Sequence, residues 1–397
     1  MLGRFYLISI IGDMETISDS ETMGLAMETA QSDQVTSKAA ASADQPEALN
    51  RHRQLTSLLT SGELEQKVND LLEELFPQRL NTTGESSEPS LSGYFDQYEL
   101  LEEIGQGAFS RVFKAIDTTL GNRLIVLKIG KLGHREIGTA GRLNHKYIMP
   151  VYSSTIDELG VTTICMPYLG RNTLRDKLED RYQRFARSNR TSCSAGRQGI
   201  SEFPVSWKQD SDFPILLKWF EQTCLALQYA HNQCVLHLDV KPSNILLGYC
   251  GNALLLDFNL ARDEFLQRHA SGGTLSYMSP EQLQKCILQQ PVKLDERSDV
   301  YSLGVTMFEA FYGFLPFHSP GPTLRPRLQA QIMLERQQRV ESLFKRAVPG
   351  MPTRVRRLLQ KCLGFQRASR FDDVSQVLAE LRQIIKRQNS KCLPWLI

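Results

Sequence analysis

Long apolar runs are missing from this 397-residue chain. Nowhere do about 18 apolar residues follow one another, so no membrane-spanning helix is expected. An excess of one charge is missing too: 46 Lys and Arg face 44 Asp and Glu, and a net charge of +2 argues against a nucleic-acid or membrane-surface footprint. The eight cysteines (165, 193, 224, 234, 250, 286, 362, 392) include no CxxC pair and no tight Cys/His cluster. That argues against a zinc site or a disulfide framework and fits reduced thiols in a cytoplasm. The opening MLGRFYLISIIG holds one Arg and turns acidic at Asp13, so no secretory signal is expected either. What is present, 41% hydrophobic and 23% charged residues, is the composition of a soluble globular protein.

Residues 1–50 carry eight acids against Arg4 and Lys38, in a background of Ser, Thr, Ala and Gln. Such a segment buries too little apolar surface to offset its ordering entropy, and a disordered acidic tail is expected. In residues 51–80, Leu55, Leu58, Leu59, Leu64, Val68, Leu71, Leu72, Leu75 and Phe76 recur at helical spacing. This amphipathic arm either packs on the neighbouring domain or docks a partner, and amphipathicity alone does not choose. Residues 81–97 read as a linker. Strand-like sequence begins at Tyr98. Between 178 and 213 the helical pattern is interrupted by Arg181, Arg184, Arg187, Arg190 and Arg197. A solvated insertion is expected there, with docking of an acidic partner as the lesser reading. Helical periodicity resumes from Ile215 to His231, a histidine expected to be structural, and residues 388–397 form a short tail.

Two blocks carry the chemistry. The first is His237-Leu238-Asp239-Val240-Lys241-Pro242-Ser243-Asn244, running into Ile245-Leu246-Leu247; the second is Leu254-Leu255-Leu256-Asp257-Phe258-Asn259. They supply a carboxylate able to take a hydroxyl proton (Asp239), an ammonium (Lys241), and an amide and a second carboxylate able to hold magnesium (Asn244, Asp257). Phosphoryl transfer requires that inventory. Upstream, Gly105-Gln106-Gly107 lies between two expected strands, and a third, Arg123 to Ile129, carries Lys128. Glycines let a backbone approach phosphates closely, and a glycine loop between strands differs from one that opens a helix.

In order and spacing these blocks resemble the eukaryotic-type protein kinases, on their Ser/Thr side, and most closely the bacterial branch. The resemblance covers residues 98–387. It implies a two-lobed α+β fold, with a small antiparallel sheet lobe (98–166, five strands and one helix) and a larger helical lobe (167–387). ATP with Mg²⁺ would lie between them. Carried over residue by residue, Asp239 would be the base and Lys241 would neutralise the moving phosphoryl group, while Asn244 and Asp257 would hold the metal. Gly105, Gly107 and Lys128 would meet the phosphates, with Glu136, on a short helix, pairing Lys128. Ile104, Val112, Val126 and Leu246 would enclose the purine. Met166, Tyr168 and Leu169 would form the hinge, where Pro167 has no amide hydrogen to offer. Thr274 and the segment 272–281 would receive a peptide, Glu281 would pair with Arg370, and Asp299 would anchor the catalytic loop; His237 and Phe258 would pack.

Three positions depart from that pattern: Ser110 replaces a glycine, Leu238 an arginine and Asn259 a glycine. The implied function is transfer of the ATP γ-phosphate to Ser or Thr hydroxyls of proteins. The alternative is a nucleotide-binding pseudokinase scaffold acting through its N-terminal arm. With the chain ending about ten residues after its last expected helix, no sensor or membrane segment is expected to follow.

Overall fold

Period-two burial builds the small lobe. Along strand β3 (Ser110–Asp117), Phe113 and Ala115 are buried on one face while Val112 and Lys114 take the other. The next strand, β4 (Arg123–Gly130), is central and buried on both faces. Its Ile125, Leu127 and Ile129 join Tyr98, Leu100, Phe113, Ala115, Val161 and Cys165 in the lobe's core, which turns Val126 and Lys128 to the opposite face. In the computed structural model, residues 93–95, 97–106, 110–130, 142–156, 161–190, 211–258, 274–321, 323–345 and 351–391 are described. The chain divides into Met1–Arg51 and His52–Ile397, and every described residue lies in the second unit.

The sheet is antiparallel, in the order β1-β2-β3-β4-β6-β5, with β1 Gly93–Phe95, β2 Tyr98–Gln106, β5 Ser153–Ile156 and β6 Thr162–Pro167. Four of these strands, β2, β3, β4 and β6, are those read from sequence. The edge strand β1 lies inside the segment read as linker and pairs with the start of β2 (Phe95 opposite Tyr98). The fifth strand expected of this lobe falls over residues 149–154 in the sequence. Met149 instead donates its amide to the Leu255 carbonyl (3.0 Å), joining the large lobe's hairpin, and β5 starts at Ser153.

The large lobe is helical: α1 Leu174–Arg190, α2 Phe213–Asn232, α3 Pro280–Gln282, α4 Glu296–Tyr312, α5 Pro326–Gln338, α6 Val340–Lys345, α7 Thr353–Cys362 and α8 Val374–Lys391. Helix α4 is buried on all sides, as the central helix of a lobe should be. The Asp295 carboxylate caps its first turn and Gly313, at φ 80°, ends it. The rings of Phe213 and Phe220 of α2 each lie 5.4 Å from that of Phe311 of α4, tilted in one pair and edge-on in the other.

Helix α1 corrects the expected insertion at 178–213, because residues 178–190 are helical. Arg181 is 5% exposed and gives its guanidinium to the Ala310 carbonyl at the end of α4. Arg184 donates to Asp212 (3.1 Å). An arginine stem covers apolar surface while its head finds an acceptor, so Arg181 packs rather than floats. Residues 191–210 lie outside the described residues, as do the tail 1–50, the arm 51–80, Gly107, Glu136 and Asn259. No helix among the described residues is long and apolar enough to cross a membrane.

Candidate active site

Between α2 and the hairpin β7 (Ile245–Leu247) and β8 (Ala253–Leu255), the chain makes a loop that turns its polar groups inward. Pro242 opens a 3₁₀ turn, Pro242–Asn244, and that turn brings Asn244 back to Asp239. The Asn244 amide nitrogen donates to the Asp239 carbonyl (2.8 Å) and to its Oδ2 (3.0 Å). Lys241 Nζ lies 2.8 Å from the same Oδ2. The other carboxylate oxygen, Oδ1, is buried with no hydrogen-bond partner among the described residues. An acceptor left so costs about 1–3 kcal/mol, which a donor arriving from outside would recover.

Asp257 follows β8 with φ 54°, and Asp, with Asn, is among the non-glycine residues that tolerate this region. From the small lobe, Lys128 Nζ reaches Asp257 Oδ1 at 2.8 Å. The Leu256 amide donates to the Asn244 carbonyl (2.9 Å), which ties the two loops together. His237 ties them again. Its Nδ1 accepts from the Asp239 amide (3.2 Å), so Nε2 carries the proton and donates to the Leu256 carbonyl (2.8 Å). Phe258 lies against the same imidazole, centroids 4.7 Å apart. The structure therefore gathers Lys128, Asp239, Lys241, Asn244 and Asp257 into one site.

Beneath the loop sits Asp299 of α4, fully buried, accepting from the amides of His237 (2.8 Å) and Leu238 (2.6 Å) and from His231 Nε2 (2.8 Å). Burial alone would raise the Asp299 carboxyl, but the hydrogen bond and charge of His231 outweigh it and hold it below the usual carboxylate range. Burial would likewise lower His231, and the bond to Asp299 raises it instead. The histidine's share of stability is thus complete below its ordinary value of 6.5 and fades as pH climbs through the raised one. The carboxylate's share is complete above 3.8 and fades as pH falls through the depressed value. Thermal denaturation from pH 5.5 to 9 should show a decline on the alkaline side that His231→Gln, which keeps a donor but no charge, flattens. A variant declining in parallel with the wild type contradicts the pair.

Leu238, where the arginine was absent from the pattern, adopts φ 59°, a region that costs a non-glycine residue about 1–2 kcal/mol. Its side chain packs on the large lobe's core. Asp299 holds its amide, and its carbonyl accepts from Gln282 Nε2 (2.7 Å).

Where the resemblance implies a purine, Leu246, Met149 and Leu254 form an apolar cluster against which Met166, Leu169 and Leu256 pack. Val126 and half-buried Ile104, Gly105 and Val112 belong to the sheet above it. Of the expected hinge groups, the Leu169 carbonyl already accepts from the Tyr249 amide (2.8 Å), and Tyr168 rests edge-on against Tyr249. A Cβ on Gly170 would meet the Leu247 carbonyl at 2.5 Å, so only glycine lets the hinge lie this close to β7.

Arg370 meets Glu281 in a buried two-pronged pair (2.7 and 2.9 Å), with Ser298 Oγ donating to the same carboxylate (2.8 Å). Burial would raise the Glu281 carboxyl, yet the bonds and charge of Arg370 hold it low. Nearby, Arg175 of α1 and Tyr277 both donate to Glu309 of α4 (2.8 and 2.5 Å), a network the sequence did not suggest. Thr274 opens a 3₁₀ turn, Thr274–Tyr277, although its side chain lies outside the described residues.

A family model described as protein kinase domain matches residues 98–381. The chain belongs to the protein kinase domain family. Among its bacterial relatives, a probable serine/threonine-protein kinase of Corynebacterium efficiens is 29% identical over 246 residues, 57% of this chain and 32% of that protein. The serine/threonine-protein kinase PknB of Mycobacterium tuberculosis is 29% identical over 247 residues, 57% of this chain and 34% of its own length. PknD of Protochlamydia amoebophila, also a serine/threonine-protein kinase, is 25% identical over 327 residues, 73% of this chain and 30% of its own. The chain thus spans about a third of the length of these curated relatives. The two-lobed kinase fold, with its antiparallel sheet and helical region, is the architecture of this chain.

Proposed function

We propose that this kinase domain transfers the γ-phosphate of ATP to serine or threonine hydroxyls of proteins. The observation that carries the reading is Asp239 Oδ1, buried in the carboxylate that holds Lys241 and without a hydrogen-bond partner among the described residues. A substrate hydroxyl is the donor it lacks: the hydroxyl would bond to Oδ1, be oriented by it, and lose its proton to it as the oxygen attacks phosphorus. Lys241 and the Asn244 amide fix Oδ2, so the free oxygen keeps one direction. Lys241 is also placed to balance negative charge on the phosphoryl group in flight. Lys128, nearly buried and held at Asp257, would bind the α and β phosphates.

Magnesium fits the residues present. Both donor contacts of the Asn244 amide nitrogen go to Asp239, which leaves its oxygen end for a cation. Asp257 supplies a carboxylate that is 35% exposed. No cluster of three His, Cys, Asp or Glu exists among the described residues. Two protein oxygens completed by phosphate and water oxygens suit this hard ion, which would neutralise phosphate charge when bound. Gly105, Gly107 and Glu136 would complete the phosphate side, and Ile104, Val112, Val126 and Leu246 the purine slot, with Met166, Tyr168 and Leu169 along its edge. Thr274 would guide the acceptor. A cytoplasmic setting agrees with the six free cysteines among the described residues.

Incubation with radiolabelled ATP, magnesium and a protein substrate should label phosphoserine or phosphothreonine but not phosphotyrosine, and chelation should abolish it. Label confined to tyrosine, or none, refutes the proposal. Because Leu238 offers packing where an arginine would offer charge to a phosphate, activation should not depend on phosphorylation of residues 259–279. Ser271→Asp or Thr274→Asp should leave the rate unraised, and a tenfold increase would count against this.

A further inference from the structure

The peptide-receiving segment and the catalytic loop share one side chain. Gln282 is fully buried at the end of α3. Its Nε2 donates to the Leu238 carbonyl (2.7 Å), while its Oε1 accepts from the Ser279 amide (2.9 Å). Ser302 Oγ of α4 lies 3.5 Å from that same oxygen, and the Gln282 amide donates to Ser279 Oγ (3.3 Å). A carboxamide donates and accepts from one rigid plane, and here both halves are in use.

What it grips is the strained residue. Leu238 stays at φ 59° because both its backbone groups are held: the amide by Asp299 and the carbonyl by Gln282. Asp239 is the next residue, and its direction follows from the peptide plane that carries the Leu238 carbonyl. We propose that Gln282 is a positioning residue for phosphoryl transfer, clamping Leu238 in the left-handed conformation and so coupling the segment 274–282 to the aim of Asp239. This rests on the kinase reading above. Without the clamp, the Leu238 carbonyl loses its donor, the loop relaxes toward ordinary φ, and Asp239 turns from the acceptor hydroxyl.

A double-mutant cycle tests it. Gln282→Met should lower kcat about tenfold or more with KM for ATP within about twofold, because the lost bond aligns the base and not the nucleotide. In the Leu238→Gly background, where the left-handed conformation carries no Cβ penalty, the same substitution should cost several-fold less. A residue that only caps α3 would give equal effects in both backgrounds. Amide hydrogen exchange over residues 237–241 provides an arm that needs no turnover: exchange should quicken in Gln282→Met. Should Gln282→Met fail to fold, Gln282→Glu, which retains the acceptor for Ser279, enters the same cycle. An unchanged kcat, effects equal in the two backgrounds, or exchange identical to wild type overturns the proposal. A wild type without transferase activity refutes the kinase reading instead, and the exchange arm then decides the clamp alone.

Discussion

Replacing Asp239 with asparagine should reduce phosphoryl transfer about 10²–10⁴-fold, the range general-base catalysis supplies. The change removes the acceptor that Oδ1 offers to an incoming hydroxyl. The amide oxygen stays with Lys241 and Asn244, which both point donors at the Oδ2 position, so the amide nitrogen, a donor that takes no proton, faces the hydroxyl. Binding of ATP should survive, since Lys128, Asp257 and the purine-side cluster of Leu246 are untouched. Transfer rates measured alongside nucleotide affinity separate the two. Equal rates in variant and wild type would show that the protein's phosphoryl transfer, if any, uses another base, and a nucleotide-binding scaffold would then be the better description.

Truncating Arg370 to alanine should destabilise the domain by about 3–5 kcal/mol, because a buried carboxylate is left without its counter-charge. Glu281 is 3% exposed and Arg370 is fully buried. Arg370 also donates to the carbonyls of Gly364, Arg297 and Phe365 (2.6, 3.0 and 3.0 Å) and lies over the Tyr301 ring, so with Glu281 three chain segments converge on it. Glu281→Ala strands the guanidinium and should cost a comparable amount. Changing both to apolar residues of similar volume should recover much of the loss, because no buried charge remains unpaired. Denaturant melts of the two single variants and the double would read this. Single losses below about 1 kcal/mol would mean that water reaches the pair, as at exposed ion pairs.

The candidate site's clustering was legible in sequence because the expected chemistry needs particular residue types close together along the chain. Asp239, Lys241 and Asn244 lie within six residues, and their hydrogen bonds are made inside one loop. The strands were legible for a related reason, since burial alternates along β3. Contacts set by distant partners were legible only where the resemblance supplied them, as for Glu281 with Arg370 and for Asp299 under the loop. Arg181 and Arg184 read as a solvated run until the Ala310 carbonyl and Asp212 appear beside them. Gln282 looks like any polar residue after Ser279-Pro280-Glu281, because its partner Leu238 lies 44 positions upstream. His237 read as packing alone, although each ring nitrogen makes a hydrogen bond that joins the two loops.

On the proposed reading, the lysine of the sheet lobe and the two aspartate loops of the helical lobe face one nucleotide phosphate chain. A crystal structure with a non-hydrolysable ATP analogue and manganese, located by its anomalous signal, addresses it most directly. The account predicts manganese about 2.0–2.3 Å from oxygens of Asn244 and Asp257, with Lys128 against the phosphates and the γ-phosphate turned toward Asp239. Metal bound away from these oxygens, or an analogue that does not bind at millimolar concentration, contradicts it.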